Sequence, residues 1–263
     1  MKYLTVLVVV LTGFVSMSCG KDSSDVSSTQ ALVREGPVLL YNGEGAASAD
    51  VTALAGILNA HDVSYELIDE NELNAMAADD LLHFGTIVWP GGLAGTGTKA
   101  LSKDARIAVR RAVVEFGVSY VGFCAGAFMA MNAPPVGDNA AVYGFGIVPY
   151  DGILPEYEPN GVHQHDHPQT VVVNLPGGKT QDVAWYGGPF FPTANEVLAR
   201  YKDGTPAMMQ TYSGMGFVVL SGPHPESPPA WVSTTDTDGT VIDRELAWSL
   251  INAGLTRTRL QTL

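Results

Sequence analysis

Short apolar runs alternate with longer amphipathic segments along the chain from Pro37 onward. This order is typical of a parallel β-sheet with helices on its faces. The predicted strands are Val38–Tyr41, Val63–Ile68, Thr86–Trp89 and Val118–Phe123, and the predicted helices are Ala49–Ala60, Glu72–Leu82 and Lys103–Phe116. We therefore predict one α/β domain with a doubly wound, mainly parallel sheet flanked by helices.

The helix predicted over Lys103–Phe116 has an apolar stripe at helical spacing, with Arg106 and Arg110 largely outside it. Beyond Met131 the pattern changes to turns rich in proline and glycine. The short β-like runs there include Thr170–Asn174, Val183–Tyr186 and Phe217–Leu220. A last helix is predicted over Glu245–Asn252, with Gly254 as its C-terminal stop.

The first residues have the order of a secretory signal: Lys2, an apolar run over Leu4–Val15, small residues, and then Cys19. The cysteine after small residues resembles a lipoprotein processing site. We expect a signal peptide over 1–18, a lipid-anchored polar tether over 19–36 and the folded domain over 37–263. The protein would then be an exported, membrane-anchored lipoprotein of the bacterial cell envelope. Cleavage at Ser18 without lipid would instead give a soluble periplasmic or secreted protein.

The composition of the chain limits the kinds of molecule that it can bind. Of 263 residues, 46% are hydrophobic and 16% charged, which predicts a folded chain. The formal net charge of -13 would repel nucleic acid, so we expect no nucleic-acid partner and membrane contact only through the lipid anchor. Protein partners are not indicated.

Cys19 and Cys124 are the only cysteines. In an oxidising compartment they could pair, but acylation of Cys19 would leave Cys124 as a free thiol.

The segment Gly122–Gly126 follows a predicted strand and precedes the helical run Ala127–Met131. This is the setting of a nucleophile elbow, in which small neighbours let the backbone turn sharply around Cys124. The positive end of the helix would favour a thiolate. The alternative is a small apolar cysteine packed at a strand end.

A second chemical motif, Ser221–Glu226 (SGPHPE), follows the buried run Phe217–Leu220. His224 could accept the thiol proton, and Glu226 could hold the imidazole tautomer and stabilise its charged form. Residues two apart in an extended segment project to the same side. The two motifs together favour a Cys124, His224, Glu226 constellation over a structural loop.

These motifs resemble the signature of class I glutamine amidotransferase-like domains, which have a flavodoxin-like fold. Within that superfamily, the amino-acid sequences of three segments most resemble the biotin-protein ligase N-terminal domain family. The segments are Cys124–Ala127 (CAGA), Tyr186–Pro189 (YGGP) and Ser221–Glu226 (SGPHPE). The match spans about Pro37 to Asn252.

The resemblance implies an oxyanion strand at Pro90-Gly91-Gly92, with the backbone N–H groups of Gly92 and Ala125 as donors. It also implies substrate contact by Tyr186, Gly187 and Gly188. Phe128 stands where glutaminase members have a glutamine that holds the substrate, which argues against glutamine hydrolysis. We expect no biotin ligation, because the amidotransferase-like domain uses up the chain.

A histidine cluster, His163, His165 and His167, is the one candidate for metal ligation. Without it, the sequence indicates no metal or other cofactor. Three hypotheses follow: a thiol-dependent amidase or acyl-transfer enzyme acting on a small amide or peptide-like substrate, a non-catalytic module that uses the fold for ligand binding or scaffolding, and a metal-dependent hydrolase.

Overall fold

The computed structural model describes residues 34–131, 144–161, 166–227, 231 and 243–263. Contacts divide the chain into Met1–Gln30 and Ala31–Leu263, and every described residue belongs to the second unit. The predictions for the signal peptide, Cys19, His163 and His165 lie outside the described residues. Within the described ranges, no helix is long and apolar enough to cross a membrane.

Nine described strands form one sheet in the order β2-β1-β3-β4-β9-β8-β7-β5-β6. They are β1 (Val38–Tyr41), β2 (Tyr65–Ile68), β3 (Thr86–Trp89), β4 (Ser119–Phe123), β5 (Gln169–Leu175), β6 (Lys179–Trp185), β7 (Val197–Tyr201), β8 (Pro206–Ser213) and β9 (Gly216–Ser221). The sheet therefore joins the two halves of the sequence into one layer.

The sheet has a parallel half and an antiparallel half. Strands β2, β1, β3, β4 and β9 pair in parallel. Strands β9, β8, β7, β5 and β6 pair antiparallel. The parallel order corresponds to the doubly wound, flavodoxin-like arrangement, so the predicted fold class is confirmed. The antiparallel extension is predicted from sequence only as separate β-like runs.

Six α-helices lie among the described residues: α1 (Ser48–Ala60), α2 (Glu70–Ala75), α3 (Ala94–Ala100), α4 (Lys103–Val114), α5 (Ala125–Met131) and α6 (Asp243–Thr256). Alternating strand residues divide between two cores, with Leu39 in one and Leu40 in the other. The first core includes side chains of α4 and α5, and the second includes those of α1 and α6. The sheet is thus covered on both faces, as a parallel sheet requires.

The helix predicted over Glu72–Leu82 is wrong in extent. Asp69 caps α2 through the backbone N–H groups of Asn71 and Glu72, which starts that helix at Glu70. The helix ends at Ala75, and a separate 3₁₀ turn follows over Asp80–His83. The backbone turns extended at Met76, and the Ala77 N–H donates to the Asp80 carboxylate at 2.8 Å, so a segment with continuous apolar spacing is divided in two.

Two predicted features of the other helices are also wrong. Helix α6 continues through Gly254, whose Cα faces β4: a Cβ there would lie 2.4 Å from Cγ2 of Val121. Gly254 therefore permits close packing rather than ending the helix. Arg106, predicted to lie outside the apolar stripe, is buried, and its guanidinium donates to the carbonyl of Thr98 at 3.3 Å.

Candidate active site

Cys124 lies at the turn between β4 and α5, with a backbone φ of +44°. A non-glycine residue rarely adopts this left-handed conformation, which costs on the order of 1–3 kcal/mol and is concentrated at functional sites. The Cys124 N–H donates to the carbonyl of Ser221 at 2.8 Å, which ties the turn to the end of β9. The thiol is free and buried.

The glycines on both sides of Cys124 are required by close packing. A Cβ on Gly122 would lie 2.7 Å from the carbonyl carbon of Gly126. A Cβ on Gly126 would lie 2.5 Å from the carbonyl oxygen of Trp89 on the neighbouring strand. Small residues therefore let the turn fold back against β3, which is the geometry of a nucleophile elbow.

His224 and Glu226 lie in the turn that follows β9, and the structure brings them together. Nδ1 of His224 is 3.0 Å from Oε1 of Glu226, and both side chains are buried. The backbone N–H of His224 donates to the carbonyl of Ala184 at 2.7 Å, which fixes the turn against β6. The ring of Trp231 contacts the imidazole edge to face, with centroids 5.1 Å apart.

The imidazole lies next to the thiol. Nε2 of His224 makes no regular hydrogen bond among the described residues. The Cys124 thiol is nevertheless close enough for charge and hydrogen-bond interactions that affect the pKa of His224. The thiol itself contacts the carbonyl oxygen of Tyr186 at 3.8 Å. Cys124, His224 and Glu226 thus form one cluster, in which Nδ1 of the imidazole faces the Glu226 carboxylate and the thiol lies within interaction distance of the ring.

Asp50, in the first turn of α1, is a member of this cluster that the sequence analysis missed. Its Oδ2 is 3.5 Å from Nδ1 of His224, and its side chain is fully buried. Neither carboxylate oxygen has a hydrogen-bond partner among the described residues. An acidic residue in the first turn of a helix is common, since it offsets the helix dipole. The sequence therefore held no signal that Asp50 faces the histidine.

Burial and charge together set the protonation of the cluster. Burial raises the pKa of Asp50 from 3.8 to about 7, with a further rise from Glu226 and an opposing effect from His224. Burial alone would lower the pKa of His224, but Cys124 and Glu226 outweigh it and raise that pKa well above the ordinary value. The neighbouring thiol and carboxylate therefore favour the imidazolium form of His224, and burial makes Asp50 bind a proton more readily than an exposed aspartate.

The residues of the predicted oxyanion strand lie against the cluster. A Cβ on Gly91 would lie 2.3 Å from both Oδ2 of Asp50 and Cε1 of His224, so Gly91 forms the floor beneath the imidazole. Gly92 has φ +140° and lines the pocket above Cys124. Ala125 begins α5 directly after the cysteine.

The segment Tyr186–Gly188 divides between two roles. Tyr186 and Gly187 line the pocket, and the ring of Tyr186 contacts Trp231 at 5.3 Å between centroids. Gly188 lies behind the pocket, where a Cβ would lie 1.8 Å from the carbonyl oxygen of Gly222. Gly188 is thus explained by the close approach of two backbone segments.

A pocket of about 820 Å³ opens above the cysteine. Its walls include Cys124, His224, Gly92, Tyr186 and Phe128. The volume lies within the usual range for small-molecule sites. Cys124, Gly92 and His224 all follow the carboxyl ends of parallel strands, which is where ligands bind in open α/β sheets.

Of the predicted histidine cluster, only His167 lies among the described residues, and it does not line the pocket. His167 is exposed, and its two companions lie outside the described residues. Among the described residues, the group with metal-ligand geometry is Asp50, His224 and Glu226, whose ligand atoms lie within 4.8 Å of one another. A metal ion held there would occupy Nδ1, which the Glu226 carboxylate already contacts.

No protein-family model matches the chain, and the search of curated proteins found no match. Solved structures do match. A glutamine amidotransferase crystal structure has a TM-score of 0.52 and 20% identity, and the match covers 83% of this chain and 100% of that one. A candidate GMP synthase component from Thermoplasma acidophilum has a TM-score of 0.49 and 12% identity, covering 85% and 96%. An exo-β-1,4-mannosidase from Opitutaceae bacterium strain TAV5 has a TM-score of 0.48 and 13% identity, covering 84% and 36%.

The first of these likenesses defines the class of fold. Together with the order of the parallel strands, it shows that the chain has a class I glutamine amidotransferase-like fold. At 20% sequence identity the structural similarity shows the fold alone, and any function must depend on the residues of the site.

Proposed function

We propose that the protein is a thiol-dependent amidase or acyl-transfer enzyme in which Cys124 is the nucleophile. The observation that carries this proposal is the cluster of groups at the carboxyl ends of the parallel strands. It consists of a cysteine at a strained turn, an imidazole beside it, and Glu226, whose Oε1 is 3.0 Å from Nδ1 of that imidazole. A base held by a third group is the arrangement that activates nucleophiles in acyl transfer.

The reaction proceeds through a thioester. The Cys124 thiolate attacks the amide carbonyl carbon, and a C–S bond forms. The C–N bond then breaks, and the amine leaves with a proton from His224. Water, deprotonated by His224, hydrolyses the thioester and releases a carboxylic acid and the free thiol. The N–H groups of Gly92 and Ala125 would stabilise the negative oxygen formed in each step.

Two carboxyl groups support the imidazole in this scheme. Glu226 fixes the tautomer and stabilises the imidazolium that forms when the thiol is deprotonated. Asp50 lies on the same ring nitrogen at 3.5 Å and, with Gly91, confines the ring from below. Asp50 is a positioning residue in this proposal, because it acts through His224 rather than on the substrate.

The sequences of the three motifs support a relationship to biotin-protein ligase N-terminal domains, and this proposal does not include biotin ligation. Phe128 lines the pocket at the position where glutaminase members have a glutamine that holds the substrate, which argues against glutamine as the substrate.

The proposed location is the cell envelope, with Cys19 acylated. Labelling growing cells with an alkyne fatty acid tests this: the wild type should be labelled and Cys19→Ser should not, whereas label retained by Cys19→Ser would refute the anchor.

Intact-mass analysis with p-nitrophenyl acetate tests the chemistry. We expect an acetyl group on Cys124 that disappears with time, no adduct in Cys124→Ala, and acylation slowed by about 100-fold or more in His224→Ala. If the acetyl group is found on lysines only, or forms on Cys124 at the same rate without His224, the protein uses this fold as a binding module instead.

A further inference from the structure

The pocket above Cys124 has apolar side chains at its mouth that ordinary folding does not explain. Leu93 is 69% exposed and Ile153 is 61% exposed, and both line the pocket. They come from separate parts of the chain, one from the loop after β3 and the other from the described segment 144–161. Two large aliphatic side chains left in water on separate stretches of one rim favour an apolar ligand.

Aromatic side chains continue this surface inward. Phe128 and Trp231 are half-buried and line the same pocket as Cys124. Trp231 also contacts the imidazole of His224, so the apolar wall reaches the reacting groups. A group bound along this wall would therefore lie directly beside the bond that the thiol attacks.

The charged residues of the pocket walls do not favour a ligand of either charge. Apart from the buried cluster around His224, the charged lining residues are Lys99 and Glu156, which have opposite signs. A ligand with one strong charge would meet one favourable and one unfavourable partner. A neutral ligand avoids both the repulsion and the cost of desolvating its own charge.

We propose that the substrate is a neutral amide whose acyl or amine part is an alkyl or aromatic group of several carbons, bound against Leu93 and Ile153. The inference rests on the proposed function and names its substrate class. The volume of about 820 Å³ accommodates such a group together with the amide. Each methylene buried there strengthens binding by roughly fourfold, so a short chain already changes the rate measurably.

The test compares iodoacetamide with N-hexyl iodoacetamide as alkylating agents for Cys124, with each rate divided by its rate on glutathione. We expect the hexyl reagent to be favoured about 10-fold or more in the wild type. Leu93→Ser and Ile153→Ser should each reduce this preference several-fold. The matched control is Met215→Ser, since Met215 is 58% exposed, lies in the turn between β8 and β9 and does not line the pocket.

The outcomes separate this inference from the proposed function. A hexyl preference that depends on Leu93 but persists in His224→Ala supports the apolar site even if Cys124 is not an activated nucleophile. No preference beyond that of glutathione overturns the inference. An equal loss in Met215→Ser also overturns it, because the effect would then not belong to the pocket. An N-(5-carboxypentyl) reagent that reacts faster than the hexyl one would overturn the neutrality of the substrate.

Discussion

Asp50 contributes to how the stability of the protein depends on pH. Its pKa is about 7 in the folded protein against 3.8 for the free side chain. Between these values the folded state holds a proton that the unfolded state has lost, so the free energy of unfolding falls as the pH rises through this window. Stability from this group is therefore fully present below pH 3.8 and lost as the pH rises through about 7.

Asp50→Asn should remove the part of this pH dependence that comes from Asp50. We expect the variant to match the wild type near pH 4 and to be more stable at pH 8 by about 2 to 4 kcal/mol, measured by urea denaturation across pH. The control is Asp104→Asn, an exposed aspartate in the first turn of α4. Parallel curves for Asp50→Asn and the wild type would show that Asp50 does not hold the extra proton.

Gly91 fixes the height of the imidazole above the sheet. In Gly91→Ala the new Cβ would collide with Asp50 and with the ring of His224. We expect the ring to move and the alkylation rate of Cys124 to fall about 10-fold or more, with far-ultraviolet circular dichroism unchanged. Gly56→Ala, where no atom lies within 4 Å of the new Cβ, is the control and should leave the rate intact. Equal rates in the two variants would contradict this role.

At the scale of the element, Gly254 tests how α6 packs on the sheet. Replacing glycine by alanine within a helix usually stabilises it by about 1 kcal/mol. At Gly254 the added methyl would lie 2.4 Å from Val121, and overpacking of this kind costs about 1–3 kcal/mol. Gly254→Ala should therefore lower the free energy of unfolding, measured by urea denaturation, whereas Gly56→Ala in α1 should raise it. A gain in both variants would show that the helix yields easily.

Elements with a strong apolar pattern could be predicted from sequence. Strands β1 and β3 have the predicted bounds, because four consecutive apolar or β-branched residues are buried on both faces of a central strand. Helix α3 was missed, since Ala94–Ala100 (AGTGTKA) has no apolar period to mark it. Strands β7 (VLARY) and β8 (PAMMQTYS) were missed because their apolar residues are interrupted by polar ones and form no continuous apolar run.

The site was predictable where a motif adjoins a strand. Cys124 and His224 each follow a buried apolar run, and the parallel pairing of β4 with β9 brings those strand ends together. Asp50 was not predictable, because its role comes from the position of α1 and not from a motif. Gly91 was named for a backbone role, but its contact with the imidazole required the structure.

At the scale of the whole molecule, the topology accounts for the site. The groups around Cys124 come from segments that follow β1, β3, β4 and β9, which are four strands of the parallel half. The antiparallel half contributes a further wall through Tyr186 after β6. The pocket thus forms where the two halves of the sheet meet, and both halves are needed to build it.

Activation of Cys124 by His224 is the property on which the proposed chemistry depends. The most direct measurement is the rate of alkylation of Cys124 by iodoacetamide from pH 5 to pH 10, in the wild type and in His224→Ala. We predict that His224→Ala slows the reaction about 10-fold or more at pH 7 and changes the shape of the pH profile, because the imidazole beside the sulfur supports the thiolate. Superimposable pH profiles for the two proteins, with equal rates at pH 7, would contradict this activation.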